Sequence, residues 1–291
     1  RNDVMRLHVT DKLLYTECCI LGSQGITEYD LMGIGSELAT VFNNLAIERL
    51  TEHAGNLLVA PLCFKSVLMQ EMDAEIEAKR MGKDARIILK CNSISDKDII
   101  EKISEASCAG VSVQMIVRGI CCIKAGVPGL TENVTVRSIV GRYLEHERVY
   151  AFGCGQDTRV YIASGDFLTR NTERRVEVGV RIQDRRIAGE LLQMLDLQLR
   201  DNVNAREMQP DGTYPKVKPA PDASRVDSQL GMYDMLAGTW PAMPAPRPAG
   251  EPVRRAPTAR RHAAALQQPQ RRPAAPRPQT LLGRLRNLLG R

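Results

Sequence analysis

Arg86-Ile-Ile-Leu-Lys90 and Val111-Ser-Val-Gln-Met-Ile-Val117 flank a segment that contains Ser95, Asp98 and, at its end, Gly110. Both flanking runs are short, apolar and rich in β-branched residues, as strands buried on two faces are. The stretch between them reads as a helix, because Ser95 with Asp98 resembles a capping box and Gly110 supplies the stop. Strand, helix and strand at this spacing predict a parallel βαβ unit, since parallel neighbours need a crossover connection.

Outward from this unit the signals continue to alternate. Asn56-Leu-Leu-Val-Ala-Pro61 reads as a strand, and a helix rich in Glu and Lys is expected from about 65 to 81. Further strands are expected over Val134 to Val140, Arg148 to Phe152, Arg159 to Ala163 and Arg174 to Ile182, then a helix from about 184 to 200. The predicted architecture is α/β, a mixed sheet covered by helices on both faces. Upstream, Ser36 can cap a helix whose Leu38, Val41, Phe42 and Leu45 fall on one face. Residues 1–35 combine an apolar run, Leu13 to Leu21, with Gly22, Gly25, Gly33 and Gly35, and read as a strand plus loop.

Charge is unevenly distributed. Of the formal net charge of +6, residues 239–291 hold eleven Arg against the single acid Glu251, which is +10, so residues 1–238 carry −4. A nucleic-acid reading based on whole-chain charge is therefore misplaced. Ten of the sixteen Pro lie in this same tail, alternating with Ala and Arg, a composition that predicts disorder. At its end Leu281, Leu282, Leu285, Leu288 and Leu289 share a helical face beside Arg284 and Arg286, a short basic amphipathic stretch. The eight Cys form neither a disulfide framework nor a zinc pattern, and no signal peptide or membrane-spanning run is present. A reducing cytoplasm is expected, with the tail able to reach an anionic inner membrane face.

In open α/β sheets ligands collect at the carboxyl ends of strands, which directs attention to Lys90-Cys-Asn92 and Arg118-Gly119. Arg118 is either a solvated surface charge or a phosphate ligand, since the guanidinium fork matches phosphate oxygens in pairs. A glycine beside it would let a ligand approach the backbone. In Arg142-Tyr-Leu-Glu-His-Glu-Arg-Val-Tyr150 a strand would put His146, Arg148 and Tyr150 on one face. A histidine beside an arginine favours a phosphoryl oxygen over a metal, against the plainer reading of a structural edge histidine. Ser164-Gly-Asp-Phe-Leu-Thr-Arg-Asn171 adds short hydrogen-bonding side chains, and could equally be a capped turn. No GxxxxGK[ST] occurs, so any ATP is not held in the P-loop manner.

Several blocks, in order, resemble bacterial polyphosphate kinase: Val41-Phe-Asn-Asn44, Asn56-Leu-Leu-Val-Ala-Pro61, Leu89-Lys-Cys-Asn-Ser93, Ile116-Val-Arg-Gly-Ile-Cys-Cys122, Gly126-Val-Pro-Gly-Leu130, Val136-Arg-Ser-Ile-Val-Gly-Arg142, Leu144-Glu-His146, Ala163-Ser-Gly-Asp166, Arg170-Asn171, Arg174-Arg-Val-Glu177 and Gln229-Leu-Gly-Met-Tyr233. The resemblance covers about residues 38 to 238. It implies a phospholipase-D-like fold that occurs twice in the whole enzyme, with this chain supplying the second copy. It also implies reversible transfer of the γ-phosphate of ATP to inorganic polyphosphate, through a phosphohistidine in the first copy and with Mg2+. Carried over, Arg118 and His146 match positions that contact nucleotide phosphates, and Lys90, Asn92, Arg137, Arg142, Ser164 and Asp166 are expected to line the same pocket. No metal ligand is expected in this chain.

The resemblance divides the chain into an incomplete segment left from the preceding domain (1–40), the C-terminal domain (41–238) and the tail (239–291). Taken alone, the chain is expected to be inactive. ATP, ADP and polyphosphate are its expected partners, in a homo-oligomer, with polyanions or an anionic membrane surface for the tail. Two other readings compete. One is a phosphodiesterase with His146 as nucleophile, against which the expected His-x-Lys is here His146-Glu-Arg148. The other is a non-catalytic polyanion-binding module, in which specific nucleic acid is disfavoured by the scarcity of aromatics for base stacking.

Overall fold

A computed structural model describes residues 28–47, 49, 55–219 and 223–236 of the chain. The readings of residues 1–27 and of the tail lie outside these residues. The described elements run α1 (Glu28–Ala46), β1 (Leu57–Val59), α2 (Phe64–Arg80), β2 (Arg86–Cys91), α3 (Lys97–Cys108), β3 (Ser112–Val117), β4 (Val134–Ile139), β5 (Arg148–Phe152), β6 (Arg159–Ala163), α4 (Thr169–Glu173), β7 (Val178–Ile182), α5 (Arg185–Leu199), β8 (Ala205–Glu207) and α6 (Ser228–Leu236).

The strands form one sheet in the order β1-β7-β6-β5-β2-β3-β4-β8. The expected βαβ unit is present at its centre: β2 and β3 pair in parallel from Arg86↔Ser112 to Cys91↔Val117, with α3 as the crossover. β4 joins in parallel, whereas the β2–β5, β5–β6, β6–β7, β7–β1 and β4–β8 pairs are antiparallel. The mixed sheet with helices on both faces is thus the observed fold. Strand alternation sorts the core into two layers. Leu89, Met115, Val136 and Phe152 pack against Phe64, Leu68 and Met72 of α2 and Ile99 and Ile103 of α3. On the opposite face Ile88, Ile116, Val149 and Ile162 meet Leu191, Met194 and Leu195 of α5 and Leu38 and Val41 of α1.

Several boundaries differ from expectation. Ser36 lies inside α1 rather than at its cap, and residues 28–35 are helical despite Gly33 and Gly35. The cap of α3 is Asp96, whose carboxylate accepts from the Ile99 amide at 3.3 Å; Asp98 instead receives the Lys65 ammonium at 2.6 Å. The strand expected from Arg174 begins only at Val178, because Glu177 is drawn aside to accept from the Ser164 hydroxyl at 2.6 Å and from the Asn171 amide. Gly110, with φ +87°, ends the α3 turn as predicted. Among the described residues no helix is long and apolar enough to cross a membrane.

Candidate functional site

Three loops meet beyond the carboxyl ends of β2 and β3, and Ile94, fully buried, joins them. Its amide donates to the Ile120 carbonyl at 2.8 Å and its carbonyl accepts from Cys122 at 3.0 Å, which ties the loop after β2 to the loop after β3. Ser95 donates to the Phe167 carbonyl at 2.8 Å and Phe167 to that of Ser93 at 3.1 Å, which ties in the loop after β6. Because β5 runs antiparallel to β2, its first residues start at this same edge. The sheet order therefore brings residues 92, 118, 146 and 166 together from four separate segments.

Asp166 is the hub. It is buried, and Oδ1 accepts from the backbone amides of Asn92 at 2.7 Å and Ser93 at 3.3 Å. The same carboxylate takes Nε of Arg148 at 3.2 Å and Nη2 at 2.9 Å, a two-pronged pairing that fixes the plane of the guanidinium. Arg148 Nη1 in turn donates to the His146 carbonyl at 2.8 Å and lies 3.1 Å from its Nδ1. Asn92 bridges the remaining gap: its Nδ2 donates to the His146 carbonyl at 3.2 Å, and its Oδ1 accepts from Nε of Arg118 at 2.9 Å.

Arg118 is held by Nε alone, and among the described residues it makes no ion pair. The imidazole of His146 is exposed at this rim. Partial burial, then the positive charges of Arg148 and Arg118, push its pKa below that of an ordinary histidine, with Asp166 and Glu147 opposing. These surroundings favour the neutral ring over the imidazolium. Arg148 Nη1 lies 3.4 Å from Nε2 as well, over the ring, so the proton carried by either ring nitrogen stands at the rim, where it can be donated to an oxyanion. Two guanidinium groups and a neutral imidazole at one sheet edge are a donor set suited to phosphoryl oxygens.

Not every expected residue stands here. Asn92, Arg118, His146 and Asp166 are brought together. Ser164 is adjacent in sequence, but its hydroxyl is engaged by Glu177 and by the Val178 amide at 3.0 Å. Lys90 is placed elsewhere: it is 2% exposed and points beneath the sheet, where Glu145 and Glu147 neutralise it at 2.8 and 3.1 Å. Arg137 is occupied by Glu207 at 2.9 Å and by the Leu199 carbonyl. Arg142 is exposed and lies over the Tyr143 ring, 5.6 Å from its centroid. His146, Arg148 and Tyr150 do not share a strand face, because β5 begins only at Arg148. Tyr150 is buried, and its hydroxyl donates to the Gly165 carbonyl at 2.6 Å. Arg148, which the sequence paired with His146 but which was not among the residues expected to line the pocket, stands between Asp166 and His146.

Gly119 serves a different purpose from the one expected. A Cβ there would stand 2.9 Å from the Asn92 carbonyl oxygen, so the close approach is made by the protein's own backbone, whose Gly119 amide donates to that oxygen at 2.7 Å. Gly119→Ala should cost about 1–3 kcal/mol of stability, as overpacking does. It should also displace Asn92, the residue that links Arg118 to His146. Urea denaturation of the variant checks the first expectation, and a loss below about 0.5 kcal/mol would contradict the tight fit.

The fold and the site define an α/β domain whose sheet edge gathers two arginines and a histidine around a buried aspartate. Comparison with known proteins narrows this class. The profile described as "Polyphosphate kinase C-terminal domain 2" matches residues 57–229. The polyphosphate kinase of Staphylococcus saprophyticus is 44% identical over 192 residues, 65% of this chain and 27% of that protein. That of Pseudomonas aeruginosa is 32% identical over 230 residues, 79% of this chain and 32% of that protein. The crystal structure of polyphosphate kinase from Porphyromonas gingivalis superposes with a TM-score of 0.68 at 31% identity, covering 71% of this chain and 32% of that one. Nuc, a phospholipase D family member from Salmonella typhimurium, aligns at 15% identity with a TM-score of 0.40. The chain belongs to the polyphosphate kinase family, in the part described by its C-terminal domain 2. It spans about a quarter to a third of the length of these relatives.

Proposed function

We propose that this chain provides the nucleotide- and phosphate-binding half of a polyphosphate kinase site, and that the other half, with the phosphorylated histidine, lies in the region that precedes it in its relatives. Residues 41–238 would form the C-terminal phospholipase-D-like domain, 1–40 the end of the preceding one, and 239–291 an appended tail. In the forward direction a histidine nitrogen of the preceding domain attacks the γ-phosphorus of ATP, the bond to the bridging oxygen breaks, and ADP leaves. A terminal oxygen of polyphosphate then attacks that phosphorus, the phosphorus–nitrogen bond breaks, and the polymer is one unit longer.

The observation that supports this reading is Arg118. Asn92 fixes its Nε, and among the described residues it makes no ion pair, so its outer nitrogens are free to meet phosphoryl oxygens. His146, adjacent, adds a ring N–H to the same oxygens as charge builds on them. Among the described residues no three His, Cys, Asp or Glu side chains gather to hold a metal ion. Magnesium would enter with the nucleotide, and its protein ligands would come from the preceding domain.

The test is polymer formation from ATP and magnesium by this chain alone, by the chain joined to its relatives' preceding region, and by the joined protein carrying His146→Ala. Polymer is expected from the joined protein only, with kcat about 100-fold lower in the variant, as for loss of a group acting on the transferred oxygens. Polymer made by the chain alone, or an unaffected variant, would defeat the assignment.

A further inference from the structure

We propose that Lys90 is a positioning residue for His146: from beneath the sheet it holds the two glutamates on either side of the histidine and so fixes where the imidazole stands. This inference rests on the reading of His146 proposed above. Residues 141–147, between β4 and β5, form neither helix nor strand, so no backbone ladder sets their course. Side chains set it instead.

The ammonium of Lys90 lies 2.8 Å from Glu145 Oε2 and 3.1 Å from Glu147 Oε1. The Gln198 amide of α5 donates to the same two oxygens, at 2.8 and 3.0 Å. Gln229 of α6 completes the hold. Its Oε1 accepts from the Tyr143 amide at 3.0 Å, and its Nε2 donates to the Tyr143 carbonyl and to Glu145 Oε1, each at 2.8 Å. Gly141 admits this amide, because a Cβ there would stand 2.5 Å from the Gln229 oxygen. With residues 145 and 147 anchored inward, residue 146 between them points outward. Its carbonyl is pinned from the site side by Asn92 and Arg148.

A buried lysine bound to two carboxylates is a poor device for stability, since apolar residues of similar volume often do as well. Such clusters are better suited to specifying geometry, and here the geometry specified is that of the segment bearing His146. Burial drives the Glu145 carboxyl upward, with Lys90 opposing. For Glu147 the desolvation effect is outweighed by Lys90 and by hydrogen bonds, and its pKa is lowered.

Lys90→Met alone would leave buried acid without countercharge and could unfold the domain. The variant of choice is Lys90→Met/Glu147→Gln, which removes one charge of each sign. With histidine-selective NMR on the 291-residue chain, the His146 ring should titrate below the ordinary range in the parent and move upward in the variant as the ring leaves Arg148 and Arg118, against the downward shift that loss of the Glu147 charge alone would give, while His8, His53 and His262 stay unchanged. In the joined enzyme kcat should fall about 10- to 100-fold, the scale of a misplaced catalytic group, with KM for ATP nearly constant. A variant that matches the parent in either readout overturns the proposal. So does a loss of kcat with a lower Tm and an unchanged His146 titration, which marks a structural role alone. If His146→Ala itself leaves kcat untouched, the proposed function fails, and the NMR titration by itself then decides whether Lys90 fixes the ring.

Discussion

Asp166→Ala is expected to lower unfolding stability by about 3–5 kcal/mol, the usual result of removing one partner of a buried ion pair. The carboxylate accepts two backbone amides and both prongs of Arg148, so its loss leaves several donors without partners at once. Each unsatisfied buried donor costs about 1–3 kcal/mol before relaxation. Nothing else in the loop after β6 reaches those amides. Asp166→Asn keeps one acceptor but turns an NH2 group toward Arg148, and should fall between the variant and the parent. Urea denaturation of the chain measures all three, and a loss below about 1 kcal/mol for the alanine variant would remove Asp166 from its place as hub. Polymer formation should disappear with it, because the loop that orients Arg148 and Asn92 would no longer be fixed.

For Arg118→Ala the expectation is the reverse combination, an intact fold and a lost reaction. Arg118 makes one hydrogen bond through Nε and no ion pair among the described residues, so stability should change by no more than about 0.5 kcal/mol. In the joined enzyme kcat should fall by about 1,000-fold, the lower end of what a transition-state arginine contributes to phosphoryl transfer. Arg118→Lys should recover little of this. Lysine keeps the charge but has no Nε for Asn92 to hold and no planar fork to offer phosphate. Full kcat in the lysine variant would mean that charge alone matters and that the Asn92 contact is incidental. Unchanged kcat in the alanine variant would remove Arg118 from the reaction.

Much of the fold was legible because its centre is made of local signals. The runs at Arg86 and Val111 each carry enough apolar, β-branched residues to define a strand, and the segment between them is too short and too well punctuated to be anything but a crossover. Residues 205–207 and 228–236 gave no such signal. Ala-Arg-Glu has no alternation, and Gly231 sits inside a nine-residue helix that tertiary contacts hold in place. The glycines at 33 and 35 hid the first half of α1 in the same way. At the site, the expected residues that the fold brings together are those at or just beyond strand ends, where position along the chain predicts position in space. Lys90 was misplaced because its face depends on partners 55 and 57 residues away, and no feature near Lys90 announces Glu145 or Glu147. Arg137 stands apart for a related reason: an arginine in the sequence does not disclose that a carboxylate, here Glu207, already holds it.

Glu37 links α1 to the sheet. Its carboxylate accepts from the Asn56 amide, at 3.1 and 2.9 Å, and from the Leu57 amide at 2.9 Å, just where β1 begins. Among the described residues β1 is the outermost strand on its side, paired only with β7. A domain trimmed to the matched boundary at residue 57 would lose this carboxylate together with Leu38 and Val41. Its bare strand edge and uncovered apolar face would then invite a second chain to add on, the route by which truncated sheets precipitate. The boundary for handling this domain on its own therefore lies upstream of Glu37, about twenty residues before the profile match begins at residue 57.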